Sequence, residues 1–124
     1  MDYTVRVSFR PLVTVVETPE CLARTDTLMT EGERELLIAY LAASPTAGGL
    51  IPGTGRVRKL RWGLDGRGKR SGARVIYFDQ KADFLLFALT IFAKNERADL
   101  TQHDRNDLRG LTKLLVDTCR RTRP

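Results

Sequence analysis

Lys59, Arg61, Lys69, Arg74 and Lys94 stand in one stretch, residues 53 to 94, with Arg56, Arg58, Arg67 and Arg70 interspersed among them. Their types and spacing are what chemistry on a phosphate would need. Arginine stays charged and offers a planar fork that matches phosphate oxygens, whereas lysine can move a proton when other cations crowd it. Cleaving RNA without a metal takes three things: a group to remove the 2′-hydroxyl proton, positive charge on the crowded phosphorane, and a group to protonate the 5′-oxygen. Arg74 and Arg61 are the first choices for the charge. Lys59, Lys69 and Lys94 are the candidates for proton transfer, and Arg56, Arg58, Arg67 and Arg70 suit contacts to backbone phosphates. A histidine pair is absent, because His103 is the sole histidine and falls on the polar side of a predicted helix, as a solvated histidine would.

Each of these signals has a plainer reading. A row of lysines and arginines on a strand is also what a solvated face looks like. The glycine-rich GRGKR run is not a phosphate-binding P-loop, since GxxxxGK[ST] is missing and no helix is predicted after it. Trp62 could stack a base, but it shares its face with Leu60, which favours the core.

The composition narrows the setting. The net charge of +6 and a pI of about 9.8 point to a polyanionic partner, nucleic acid first. With 124 residues one domain, 1–124, is expected. Cys21 and Cys119 lie far apart without CxxC spacing, so neither a zinc site nor a disulfide framework is expected, no cofactor is implied, and a reducing, cytoplasmic setting is the simplest reading. No apolar signal core or membrane-length run is visible, and no membrane partner is expected.

The elements that must position the cations follow from periodicity. Tyr3 to Phe9 alternates as a strand, Pro11 ends it, and Leu12 to Val16 extends or repeats it. Pro19 to Arg24 reads as a single helical turn. Thr30 with Glu33 forms a capping box, and Leu36, Leu37, Tyr40 and Leu41 supply an apolar helical stripe that ends at Ser44 and Pro45. Residues 46 to 55 form a glycine-rich loop. Val57 to Gly63 alternates, with Leu60 and Trp62 on an apolar underside and Lys59 and Arg61 on a cationic top. A basic loop, 64 to 72, leads to a second strand, Ala73 to Asp79, with Arg74 at its start. Phe84 to Ala93 is almost wholly apolar, as a central strand covered on both faces would be. Thr101 with Asp104 makes a second capping box, and Leu108, Leu111, Leu114, Leu115 and Cys119 form the stripe of a C-terminal helix. The expected fold is α+β: a small, twisted, mostly antiparallel sheet, with N-terminal helix or helices and a C-terminal helix packed on it.

The run GTGRVRKLRW, then GRGKRSGARVIYF, then a hydrophobic strand into AKNERADLT resembles the RelE/ParE superfamily of bacterial toxins, in its HigB-like branch. Glu17 to Glu20 and the helix with Ser44 and Pro45 carry the likeness across nearly the whole chain. The resemblance implies the toxin of a type II toxin–antitoxin system, a metal-independent endoribonuclease that cuts mRNA in the ribosomal A site, leaving a 2′,3′-cyclic phosphate and a 5′-hydroxyl. Lys59 and Arg61 match the family's outward basic pair, and Arg74 its strand-opening arginine. Implied partners are the ribosome, mRNA and a cognate antitoxin with a helix-turn-helix domain, through which alone the complex would read operator DNA. Arg120, Arg121 and Arg123 form a basic tail that either touches ribosomal RNA or is solvated.

The chain departs from the family where an arginine and a tyrosine, or a histidine and a carboxylate, are found; here Lys94, Asn95 and Glu96 stand. That leaves the general base open between Glu96 and no assigned residue, with a turn-stabilising role as Glu96's alternative. Arg56 and Ser71 occupy positions where glycine is expected. Two other functions share the sequence features: a ParE-like gyrase inhibitor without catalysis, and a basic RNA-binding module.

Overall fold

The computed structural model describes residues 12–64, 72–97 and 99–122. The expected strand Tyr3–Phe9, the loop cations Arg67, Lys69 and Arg70, and Arg123 lie outside the described residues. In chain order the elements are β1 (Thr14–Glu17), α1 (Pro19–Leu28), α2 (Glu31–Ala43), β2 (Gly49–Leu50), β3 (Val57–Trp62), β4 (Ala73–Gln80), β5 (Leu85–Ala93) and α3 (Gln102–Thr122), with a short 3-10 turn at Lys81–Asp83. The sheet order is β1-β5-β4-β3-β2. β1 runs parallel to β5, and the other three pairings are antiparallel.

Local chemistry accounts for the helix starts. Thr30 and Glu33 form the expected capping box at α2. At α1, Thr18 is the N-cap and Pro19 occupies the first turn, where its missing N–H is no loss. α1 is ten residues long rather than the single turn expected. Its weakly apolar sequence hides what holds it. Beyond the reach of the four-residue β1, Thr18 Oγ1 lies 3.0 and 2.9 Å from the carbonyls of Ala88 and Leu89, and Arg24 Nε donates to Ile91 at 3.1 Å. α1 thus closes the open edge of β5 with side chains.

Each face of the sheet carries a helix. Leu37 and Leu41 of α2 pack with Leu60, Val75, Tyr77, Leu86 and Ile91. On the opposite face Leu108, Leu115, Val116 and Cys119 of α3 pack against Val57, Ile76, Phe78, Phe87 and Phe92. Both expected stripes are therefore narrower than the sequence suggested. Leu36 and Tyr40 of α2 point outward at 64 % and 41 % exposure, as do Leu111 and Leu114 of α3. The α3 row instead includes Thr112, which is buried because its hydroxyl donates to the Thr54 carbonyl at 3.2 Å. Gly55, at φ +74°, is required there, since a Cβ would stand 2.7 Å from Thr112 Oγ1.

The picture of an apolar underside and a cationic top needs correcting. Val57 shares the face of Lys59 and Arg61 and is fully buried with the α3 cluster. Lys59, Arg61 and Arg74 occupy one end of a face whose remainder is core. β5 keeps both faces apolar by a register shift: Ile76 pairs with Thr90 but Tyr77 with Ala88, so Leu89 is an extra residue. β2 was not foreseen, because Gly49 and Leu50 carry no alternation. It pairs with Arg58 and Lys59, and the nearby Gly48 N–H donates to the buried Tyr77 hydroxyl at 2.9 Å.

Candidate cationic site on the β3–β4–β5 sheet

Register builds the site. Arg61 of β3 stands directly opposite Arg74 of β4, and Arg74 is in turn the partner of Phe92 of β5. The three form one transverse row, and strand alternation puts their side chains on the α3 face with Lys59, two residues before Arg61. Arg74 is 8 % exposed. Its Nη1 is 3.4 Å from the Ala73 carbonyl, and neither it nor Arg61 meets a carboxylate among the described residues. Like charges directly opposite destabilise a sheet, so the pair leaves a local excess of positive charge for an anion to neutralise.

The segment entering α3 completes the site. Lys59 Nζ lies 3.1 Å from Asp99 Oδ1, which also accepts the Leu100 N–H at 2.8 Å. That backbone bond first, and Lys59 second, hold the Asp99 carboxyl below its ordinary value. The Arg97 guanidinium sits 5.2 Å from the centroid of the Phe92 ring and 3.2 Å from Asp104 Oδ2. Asp104 also closes the α3 capping box, accepting the Thr101 N–H at 2.8 Å, and this bond chiefly lowers its carboxyl pKa. Lys94 is exposed just past β5, and its backbone N–H bonds the Gly72 carbonyl at 3.0 Å, beside the start of β4. Arg97, Asp99 and Phe92 escaped the sequence reading. KNERAD looks like a solvated turn, and nothing in it shows that this turn folds back over the row.

Other candidates sit elsewhere. Arg58 is on the α2 face, where Nη1 donates to the Gly48 carbonyl at 2.7 Å and lies 3.4 Å from that of Thr46. Arg56, exposed at the far end of β3, has φ +80°, a left-handed backbone that favours glycine. This gives the glycine expected at that position a physical reason. Glu96 is ion-paired with Arg24 of α1 and so ties the turn to that helix. His103 is exposed, with Nε2 3.3 Å from Asp107 Oδ2. Trp62 packs with the α2 cluster, its ring centroid 5.4 Å from that of Tyr40.

The arrangement can bind a phosphodiester and stabilise extra negative charge on it, with two guanidiniums and an ammonium on one face. Among solved structures, the chain is similar to the toxin RelE of E. coli, determined as a mutant in the free state: TM-score 0.51 at 15 % identity, covering 70 % of this chain and 88 % of that one. This likeness concerns the fold. Residues 37–122 match the family model described as the RelE toxin of the RelE / RelB toxin–antitoxin system. That match takes in the second half of α2, the whole cationic row and α3, and the chain belongs to the RelE toxin family.

Proposed function

We propose that this toxin is a ribosome-dependent endoribonuclease that cuts mRNA in the A site without a metal and so stops translation. The observation that carries the reading is the Arg61–Arg74 pair beside Lys59, directly opposed across two strands and without a carboxylate partner among the described residues. In the proposed reaction the 2′-oxygen attacks the adjacent phosphorus, the 5′-oxygen leaves, and a 2′,3′-cyclic phosphate forms. Arg61 and Arg74 neutralise the phosphorane, where charge is greatest. Lys59 steers the phosphate, exchanging Asp99 for a non-bridging oxygen, and Lys94, exposed two residues past Phe92, gives a proton to the leaving 5′-oxygen. Glu96 is committed to Arg24, so it does not take the 2′-proton, which passes to solvent water. A site so poor in proton-transfer groups gains most from a substrate already held in line, which the ribosome can supply.

The family implies an antitoxin partner. We further propose that it carries a helix-turn-helix domain, as in HigB-like systems, and masks the cationic row. The reaction would take place in the cytoplasm, where translating ribosomes are.

The test is a reconstituted translation reaction with mapping of cut ends, comparing wild type, Arg74→Ala, Lys59→Ala and a control lacking ribosomes. Cuts within A-site codons that need ribosomes and vanish with Arg74→Ala are expected. A folded protein that makes no cuts removes the reading, and inhibition of gyrase supercoiling by the same sample would replace it.

A further inference from the structure

We propose that the cleft between α1, β5 and α3 receives one RNA base beside the phosphate held at Arg61 and Arg74, and that Glu20 reads the N–H donors on that base's edge. This rests on the ribonuclease reading above and adds a base-recognition site to it.

The cleft has a volume of about 470 Å³, inside the range of small-ligand pockets. It adjoins the cationic row directly, because Phe92, the partner of Arg74 on the neighbouring strand, lines it together with Arg97. From Arg61 to Phe92 is two strand spacings, about 10 Å, the scale of one nucleotide. Arg97 is held by the Phe92 ring on one side and by Asp104 at its edge. Such a fixed guanidinium plane is a surface on which a base can stack.

The acceptors in the cleft are unequal. Glu96 and Asp104 are occupied by Arg24 and Arg97. Glu20, exposed in the first turn of α1, has no hydrogen bond or ion pair among the described residues, and it faces the cleft. An ionised carboxylate only accepts, and its two oxygens suit two adjacent N–H donors. Guanine presents such a pair, N1–H and the 2-amino group. Adenine and cytosine present an amino group beside an acceptor, and uracil a single N–H between two carbonyls that a carboxylate repels. The order of preference should therefore run from guanine down to uracil. An arginine-bearing peptide is the competing occupant. It is disfavoured because Arg24 and Arg97 already neutralise half of the four carboxylates lining the cleft.

The experiment is calorimetric titration of the purified protein, without ribosomes, with guanosine and uridine 5′-monophosphates, inorganic phosphate and acetyl-arginine amide. Wild type should bind the guanosine nucleotide about tenfold more tightly than the uridine one, the lower end of what one bidentate pair supplies. Glu20→Gln should reduce that ratio below about threefold without changing phosphate binding, and Arg97→Ala should weaken both nucleotides. Equal affinity for the two nucleotides, an undiminished ratio in Glu20→Gln, or binding of acetyl-arginine amide alone overturns the proposal. The two readings fail separately. Ribosome-dependent cuts lost in Arg74→Ala, with no nucleotide preference, sink only the base site. A Glu20-dependent preference with no cuts sinks only the nuclease.

Discussion

Arg61 and Arg74 face each other across β3 and β4, and neither meets a carboxylate among the described residues. Such a pair costs stability in the free protein, roughly 0.2–1 kcal/mol for like charges directly opposite. Arg61→Gln should therefore raise the thermal midpoint slightly while cleavage falls by about 100-fold or more, the scale of losing a transition-state contact. Melting curves and cut-end mapping on the same preparation check this. A variant that loses both stability and activity would make Arg61 a structural residue.

Asp79 is 6 % exposed, and neither carboxylate oxygen has a hydrogen-bond partner among the described residues. Burial raises its pKa; Lys81, Arg58 and Arg56 pull the other way without bonding it. For a group raised on folding, the stability contribution is fully present below the unfolded-state value and is lost as pH rises through the folded one. At neutral pH the charge is thus a burden. Asp79→Asn should raise the midpoint at pH 7 by about 4 °C and leave it unchanged near pH 3.5. Equal gains at both pH values would assign the effect to something other than charge.

Arg56 holds a φ of +80° that an L side chain adopts at a cost. Arg56→Gly should stabilise by about 0.5–1 kcal/mol, and Arg56→Ala should not. Urea unfolding of the two variants separates backbone relief from loss of the cation, which is common to both.

The Tyr77 hydroxyl is the acceptor for the buried Gly48 N–H. Tyr77→Phe orphans that donor and should cost about 1–3 kcal/mol, with an unchanged denaturant slope. A loss under about 0.5 kcal/mol would mean that the loop relaxes to bond elsewhere.

Much of the fold was legible because it is written locally. Alternation placed Lys59 and Arg61 on one face and Trp62 on the other, and Thr30–Glu33 and Thr101–Asp104 marked two helix starts that the structure keeps. What could not be read depends on distant partners. α1 exists as a full helix because Thr18 and Arg24 find carbonyls of β5, some seventy residues away. Arg97 joins the site only because Phe92 falls in register with Arg74. The outward turn of Leu36 and Leu111 reflects how little of each helix a five-stranded sheet can cover.

The extra residue at Leu89 separates two halves of β5 that would otherwise rotate together. In a regular strand, deleting or adding one residue anywhere turns every later side chain to the other face. Here the phase has already been reset between the half with Leu86 and Phe87 and the half with Ile91, Phe92 and Ala93. Pairing of Ala73 to Ile76 with Thr90 to Ala93 sets the orientation of the cationic row by itself. The core end of the sheet can then change in sequence without turning the row to the other face.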